Sequence, residues 1–280
     1  MRTIALAALL MAAPLQHAWG WGADGHAITA EIAQRHLTDA ARQMVDKLLK
    51  HGTLASVASW ADDVKFTTHK QTRDWHFVDI PLNRPKYDPA KDCKDGNCVI
   101  GALDTLKNKL RCGKDDAEKI EALKFVTHFI GDLHQPLHTV LDGEGFNKLT
   151  VTIGFCGPTN KSKPCKPSTA KPNFHEVWDE TLIGATVFAW GSYVDNLERS
   201  WPKEVDIAAL MADSTGPIEW AEEAHVEANV VRKAVPKGNV LRKPYYDAAL
   251  PVLDRQLARG GIRLAKFLNA AYGSNTCPTP

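Results

Sequence analysis

The chain has 280 residues, with 34 basic and 33 acidic side chains and a formal net charge of +1. This balance excludes the broad basic surface by which duplex-wrapping proteins bind DNA, so any anionic partner must be attracted locally. A chain of this length can bury a substantial core within one large domain.

The N-terminus has the pattern of a secretory signal peptide. Arg2 precedes an apolar run over residues 4–15, and the small residue Gly20 stands just before Trp21. About 12 apolar residues are too few to cross ~30 Å of hydrocarbon. We therefore predict a signal peptide over residues 1–20, cleaved between Gly20 and Trp21, and a secreted or periplasmic protein with no membrane span.

Apolar residues recur at helical spacing in several runs, whereas strand signals are few. The runs are Ala27 to Leu37, Ala40 to Leu49, Val99 to Leu110, Ile120 to Leu133, Phe174 to Leu182, Ile218 to Val231 and Tyr245 to Phe267. Thr38 and Asp39 before the second run, and Gly52 after it, are typical of a helix start and stop. The alternating stretch Leu149 to Phe155 is the candidate for one short hairpin. We predict an all-α fold in which residues 21–280 form a single mainly helical domain with long loops.

The six cysteines are even in number, which suits disulfides in an oxidising compartment. Short loops favour two pairs and the third follows by elimination: Cys93 with Cys98, Cys156 with Cys165, and Cys112 with Cys277. No pair has the Cys-x-x-Cys spacing of a zinc site, so we do not expect the thiols to bind metal.

Histidine and aspartate residues recur at helical spacing in two segments. In FVTHFIGDLHQPLHTV, His128 and Asp132 are four apart and project from one face of a helix, where they can bind one metal together. Pro136 ends or kinks that helix, so His138 faces a neighbouring metal. The segment NFHEVWDE repeats the spacing with a second pair, His175 and Asp179.

Three further candidates lie upstream, namely Asp62 in SWADDVK, His76 in RDWHFVDIP and His26 in WGADGH. A single histidine on an apolar face is usually a hydrogen-bonded core residue, and one His/Asp pair is often a surface ion pair. So many imidazoles and carboxylates in apolar settings would be costly to bury without partners, and metal binding supplies those partners. Imidazole and carboxylate without thiolate suit a catalytic Zn²⁺, although manganese or iron also fits this donor set.

These motifs together resemble the zinc-dependent class I single-strand nucleases of the S1/P1 family, which is related to bacterial zinc phospholipase C. The resemblance runs in order and spacing from Trp21 to Asp179. The matching motifs are WGxxGH at the N-terminus, WAD over residues 60–62, WHFVDIP over residues 75–81, HFIGDLHQPLH from His128, and HEVWD from His175.

The resemblance implies three zinc ions per chain, bound mainly by histidine and aspartate. The first would take Asp62, His76, His128 and Asp132; the second Trp21, His26 and the shared Asp132; and the third His138, His175 and Asp179. Trp21 would bind through its amino group and main-chain carbonyl, which are free to chelate only after signal cleavage. His134 is not part of the pattern, and we expect it to be a packing residue.

The resemblance also implies the reaction and its substrate. The expected activity is endonucleolytic hydrolysis of single-stranded DNA and RNA to 5′-phosphorylated products, with 3′-nucleotidase activity, by a monomer. Asp62 would orient the attacking water and accept its proton, and Lys65 would stabilise the phosphate. Phe77, Asp79 and Asn147 would bind the nucleotide.

Two features of the substrate site leave alternatives open. Phe77 is equally compatible with a place in the core. The family usually has Gly-Gly-Asn where this chain has Gly145-Phe146-Asn147, so Phe146 leaves both the backbone of that loop and the base preference open.

Two rival functions follow from the same residues. One is a zinc-dependent phospholipase C, which the WHFVDIP pocket disfavours. The other is a non-catalytic secreted zinc-binding protein, which is disfavoured because a third zinc with three protein ligands has the open shell of a catalytic ion.

Overall fold

The computed structural model of the protein describes residues 21–156, 171–186, 189–273 and 277. This part of the chain is mainly helical, as predicted. Its α-helices are α1 (Ala23–Arg35), α2 (Asp39–Leu49), α3 (Leu54–Val57), α4 (Trp60–Val64), α5 (Pro89–Asp92), α6 (Val99–Cys112), α7 (Asp116–Leu133), α8 (Phe174–Glu176), α9 (Leu182–Gly184), α10 (Trp190–Arg199), α11 (Ile207–Ala212), α12 (Pro217–Lys233) and α13 (Lys243–Tyr272).

Shorter elements connect the helices. Turns of 3₁₀ helix span Lys70–His76, Lys94–Gly96 and Pro136–Thr139, and a π-helical turn at Val177–Thr181 joins α8 to α9. The strands in the described residues are β1 (Thr152–Gly154) and β2 (Val240–Arg242).

The predicted helical runs all coincide with observed helices. Thr38 caps α2 as expected, because its side chain accepts a hydrogen bond from the backbone N–H of Ala41. The helix then ends at Leu49, and Lys50 adopts a left-handed conformation with φ of 50° before Gly52 is reached.

The prediction of a hairpin within Leu149 to Phe155 was wrong. The segment does contain β1, but β1 pairs in parallel with the distant β2, with Thr152 opposite Val240. Alternation of apolar and polar residues indicates that one face of a strand is buried. It does not indicate which part of the sequence pairs with that strand.

Helix α1 lies between two apolar clusters that make up the core. Ala33 belongs to the first cluster, together with Leu264 of α13. Ile28 and Ile32 belong to the second, together with Leu257 of the same long helix. Both faces of α1 are therefore buried, and this holds the N-terminal end of the described chain against the centre of the molecule.

Two of the predicted disulfides are confirmed. Cys93 is bonded to Cys98, and Cys112 at the end of α6 is bonded to Cys277 near the C-terminus. The third predicted pair involves Cys165, which lies outside the described residues, as does the predicted signal peptide over residues 1–20. Within the described ranges, no helix has the length and apolar character needed to cross a membrane.

Gly261 allows α13 to lie close against α1. A Cβ atom at this position would be 2.5 Å from both Cβ and Cγ2 of Ile32. We predict that Gly261→Ala lowers the free energy of unfolding by about 1–3 kcal/mol, because the two helices must move apart. Urea unfolding curves measure this change directly.

Gly191→Ala in α10 is the matched control, since nothing lies within 4 Å of its Cβ position. It should leave stability unchanged or raise it by up to about 1 kcal/mol, the difference in helix propensity between the two residues. A Gly261→Ala protein as stable as the wild type would contradict the close helix contact.

Candidate metal centre and active site

Eight buried histidine and aspartate side chains form three groups, and within each group the potential ligand atoms lie within 4.8 Å of one another. The groups are His26, Asp62 and His128; His76, His128 and Asp132; and His138, His175 and Asp179. The structure thus brings together every side chain that the resemblance implied as a metal ligand.

Asp132 on α7 lies at the centre of the first two groups. Its Oδ2 is 3.0 Å from Nδ1 of His76 and 3.1 Å from Nε2 of His128. Its Oδ1 is 3.4 Å from Nε2 of His26 and 3.5 Å from Nδ1 of His138. One carboxylate therefore touches imidazoles from four segments of the chain.

Backbone carbonyls fix the orientation of three of the imidazoles. A histidine that donates from Nδ1 to a carbonyl presents the lone pair of Nε2 on its other side, which is the usual arrangement of a metal-binding histidine. The three hydrogen bonds are from His128 to Ala58 at 2.7 Å, from His138 to His76 at 2.8 Å, and from His175 to Gly145 at 2.7 Å.

The buried polar atoms of this site fit a cation. Both ring nitrogens of His26, Nε2 of His76 and Oδ1 of Asp132 have no hydrogen-bond partner within the part of the chain that is described. Leaving such atoms buried and unpaired is costly. A metal ion with imidazole and carboxylate ligands would satisfy them, and zinc, manganese and iron all accept that donor set.

Burial and charge set the protonation of these candidate ligands. Burial lowers the pKa of His76 to about 4 and that of His175 to about 3, so both rings are neutral, the form that binds metal. Burial also opposes the charge of His128, but the carboxylates of Asp132 and Asp62 outweigh it and raise the pKa of His128 to about 10. The carboxylates thus favour a positive charge between them.

Two members of the third group, His175 and Asp179, lie on the helical segment that contains the π-helical turn. Nε2 of His175 lies 3.6 Å from Oδ2 of Asp179. Gln135, which sequence reasoning missed, donates from its side-chain amide to Oδ1 of Asp179 at 2.5 Å. Its amide oxygen accepts from the backbone N–H of Leu137 at 2.6 Å, which ties Asp179 to the turn that carries His138. The sequence signal for Gln135 was its place in the HQPLH motif.

A left-handed turn over residues 143–146 positions His175 from the other side. Gly143, Glu144, Gly145 and Phe146 have φ values of 59°, 57°, 64° and 63°. The carbonyl of Gly145 accepts the His175 hydrogen bond, and a Cβ atom on Gly145 would lie 2.7 Å from Nδ1 of that ring. Glycine is therefore required here by both conformation and space.

Phe146 shows how this chain accommodates its departure from the usual Gly-Gly-Asn. A left-handed conformation costs a non-glycine residue about 1–2 kcal/mol. The buried Phe146 ring packs against Phe174 with centroids 6.0 Å apart and lies 5.5 Å from the Arg232 guanidinium. Burial of a phenylalanine contributes about 1.5–3 kcal/mol, which offsets the strain. Asn147 then follows, and its side-chain amide donates to the Glu144 carbonyl at 2.6 Å.

A cleft of about 430 Å³ opens beside these groups. All four predicted substrate-binding residues line it: Lys65, Phe77, Asp79 and Asn147. Phe77 is half-buried and faces the cleft, so it is not a core residue. Phe66, Arg73 and Leu141 also line the cleft and were not foreseen from the sequence.

Lys65 and Asp62 form a buried pair at the wall of this cleft. The Lys65 Nζ atom donates to Oδ1 of Asp62 at 2.5 Å, and both side chains are almost completely buried. The ammonium group predicted to contact phosphate is thus also a partner of the carboxylate predicted to act as the base.

Trp21 lies beside the third group, whereas His134 belongs to none of the three groups. Trp21 is fully buried, and the N–H of the following Gly22 donates to the Asp179 carbonyl at 2.9 Å, which places the start of α1 beside the third group. His134 donates to the Ile130 carbonyl at 2.7 Å and accepts from Arg263 at 3.2 Å. It belongs to none of the three groups.

Comparison with known proteins identifies the family. A family model described as S1/P1 Nuclease matches residues 21–273. The chain belongs to the S1/P1 nuclease family. Members of this family are hydrolases of the phosphodiester bonds in nucleic acids, which confirms the predicted class of enzyme.

Individual relatives match over nearly the whole chain. Endonuclease 2 of Arabidopsis thaliana is 33% identical over 95% of this chain and 94% of its own length. Nuclease P1 of Penicillium citrinum is 31% identical over 91% of this chain and 98% of its own. Nuclease S1 of Aspergillus oryzae is 31% identical over 91% of this chain and 92% of its own. The family match over residues 21–273 therefore spans the residues that form the three groups and most of the described chain.

The environment of Asp79 in the cleft disfavours the ionised form of its carboxyl group. Burial, together with the negative charges of Asp74, Asp92 and Glu144, raises the pKa of Asp79 to about 6. A carboxyl group whose pKa is higher in the folded than in the unfolded state costs stability as pH rises from about 4, its unfolded value, to about 6.

We predict that Asp79→Asn raises the melting temperature at pH 7, where the wild-type carboxylate is ionised, and changes it little at pH 4, where the carboxyl is neutral in the folded protein. Thermal unfolding at both pH values measures the difference. Asp63→Asn, at an exposed position, is the control and should change neither value. An unchanged melting temperature for Asp79→Asn at pH 7 would show that Asp79 is not destabilising.

Proposed function

We propose that this protein is a secreted endonuclease that hydrolyses single-stranded DNA and RNA with three zinc ions and releases 5′-phosphorylated products. It would also act as a 3′-nucleotidase and work as a monomer. The observation that supports this most is that three groups of buried histidine and aspartate side chains adjoin a cleft lined by Phe77 and Asp79. The names of relatives such as Nuclease P1 and Nuclease S1 agree with it.

The donor set suggests how the ions would be shared. Asp62, His76, His128 and Asp132 would hold one zinc; His26, Asp132 and the main chain of Trp21 a second; and His138, His175 and Asp179 a third. When bound, zinc would supply Lewis-acid activation of the phosphodiester and of the attacking water.

Side chains of the protein would accept the proton of the attacking water and stabilise the charge on the phosphate. The Asp62 carboxylate, held by Lys65, would orient the attacking water and accept its proton. Lys65 would then lie beside the charge that develops on the phosphate, in a position fixed before the substrate binds. Asn147, which also lines the cleft, would donate a hydrogen bond to the phosphate.

Phe77 and Asp79 would select an unpaired base. An aromatic face stacks on a nucleobase, and a carboxylate accepts hydrogen bonds from amino and imino groups on its edge. Inside a duplex the face of a base is stacked and its pairing edge is hydrogen-bonded, so this pocket favours single strands.

The direct test is to incubate zinc-loaded protein with single-stranded DNA, RNA, duplex DNA and phosphatidylcholine vesicles. We expect cleavage of the two single-stranded substrates, with phosphate on the 5′ ends of the products. Hydrolysis of phosphatidylcholine without cleavage of nucleic acid would overturn the proposal in favour of a phospholipase C. Absence of turnover on every substrate would favour a zinc-binding protein.

Two histidine variants test the ligand assignment in the same assay. His138→Ala should bind fewer zinc ions and lose most activity. His134→Ala should keep the full zinc content, although it removes hydrogen bonds to Ile130 and Arg263 and so lowers stability. Metal analysis that gives the opposite result would show that the assignment is wrong.

The N-terminus gives an independent prediction. A free α-amino group has a reference pKa of about 8 and loses its proton readily beside a divalent ion. An additional residue in front of Trp21 converts that amine into an amide, which cannot chelate. We therefore predict that protein starting Met-Trp21 binds about one zinc fewer, and cleaves single-stranded DNA far more slowly, than protein starting at Trp21.

Mass spectrometry must first confirm that the extra methionine is retained, and zinc content and rate are then compared for the two forms. The alternative is that Trp21 only packs its buried side chain, in which case one extra residue is tolerated. Equal zinc content and equal rate would remove Trp21 from the ligand set.

A further inference from the structure

One exposed cation faces the cleft and has no part in the function proposed above. Arg73 lies in the 3₁₀ turn Lys70–His76 and lines the same cleft as His76. Side chains three residues apart in a 3₁₀ helix lie above one another, separated by one turn of ~6 Å. The Arg73 side chain therefore leaves the turn on the same side as the His76 ligand, one turn away from it.

The guanidinium of Arg73 is held by an aromatic ring instead of a carboxylate. Its Cζ atom lies 5.8 Å from the centroid of the Phe66 ring, and within the described ranges no carboxylate oxygen is within 4.0 Å of its nitrogens. Arg35, Arg84 and Arg255, in contrast, all form ion pairs. Stacking on an aromatic face leaves the edge of a guanidinium open to an anion.

Lys65, the other cation that lines the cleft, is already paired with a carboxylate. Lys65 is buried and donates to Asp62, whereas Arg73 is exposed at the rim. The planar N–H groups of arginine match the geometry of a phosphate and bind it through two parallel hydrogen bonds. The rim of the cleft thus presents a phosphate-binding group at about one turn from the metal-binding residues.

We propose that Arg73 binds a backbone phosphate of the substrate strand next to, or one removed from, the phosphate that is hydrolysed. This inference rests on the proposed function and adds to it a preference for oligonucleotides over substrates with a single phosphate. Phosphates of a stacked strand are spaced by ~3.4 Å along its axis and farther apart in an extended strand. The one turn of ~6 Å that separates Arg73 from His76 along the 3₁₀ helix is on the same scale as that spacing. Phe66 would keep the guanidinium at this position.

The test compares a single-stranded DNA decamer with a dinucleoside monophosphate, which has only the phosphate that is cut. For Arg73→Ala we expect a roughly tenfold higher KM on the decamer with little change in kcat, because a contact made equally in ground and transition states is lost. The slope of log(kcat/KM) against log salt should become shallower by about 0.7, the value for one phosphate contact on a single strand. Values for the dinucleoside monophosphate should not change.

Controls separate this contact from a general loss of charge or structure. Arg199→Ala removes one exposed arginine on α10, away from the residues that line the cleft, and should behave as the wild type. Arg73→Lys should keep most of the salt dependence. The metal content of Arg73→Ala should equal that of the wild type.

Three results would overturn the inference. They are an unchanged KM and salt slope for Arg73→Ala on the decamer, an equal loss on both substrates, or a loss of bound metal that shows a structural effect. A wild-type protein that cleaves neither substrate would instead overturn the proposed function itself, so the two failures are distinguishable.

Discussion

The arrangement of the site depends on one buried carboxylate. Asp132 is completely buried and lies 3.0 to 3.5 Å from imidazole nitrogens of His26, His76, His128 and His138. A charged group in such a place is stable only when it is fully paired, and removal of one partner leaves the others unsatisfied. Because Oδ1 of Asp132 has no hydrogen-bond partner within the described residues, a cation bound between this carboxylate and the imidazoles would complete the pairing and hold the four segments that carry these histidines in one arrangement.

The candidate metal ligands also position one another through the backbone. The carbonyl of His76 fixes the ring of His138, and the amide of Gln135 links Asp179 to the turn that carries His138. On the far side, the Gly145 carbonyl fixes His175. Because His76 belongs to the second group and His138 to the third, the bond between them makes the geometry of the third group depend on that of the second.

Much of the fold and of the site could be predicted from the sequence. The features that could not be predicted are those that local sequence patterns do not determine. The i,i+4 spacing was enough to place His128 and Asp132 on one helix face, and periodicity located the long helices. The partner of β1 could not be read from its own alternation. Nor did Glu144 and Phe146 indicate a left-handed turn, because neither is a turn-forming residue and packing of the Phe146 ring offsets its strain. Arg73 was missed because an isolated exposed arginine carries no motif.

The cleft as the protein alone builds it is poorly suited to attract phosphate. Its lining carries the carboxylates of Asp74, Asp79 and Glu144 against the cations of Lys65 and Arg73, and Lys65 is already paired with Asp62. Metal ions in the three groups would reverse this balance, because several divalent charges would exceed those of the acidic ligands. Under the proposed function, substrate binding is thus coupled to metal loading, and a formally near-neutral chain can bind a polyanion without a basic surface. The carboxylates that line the cleft would then accept hydrogen bonds from the edge of a nucleobase.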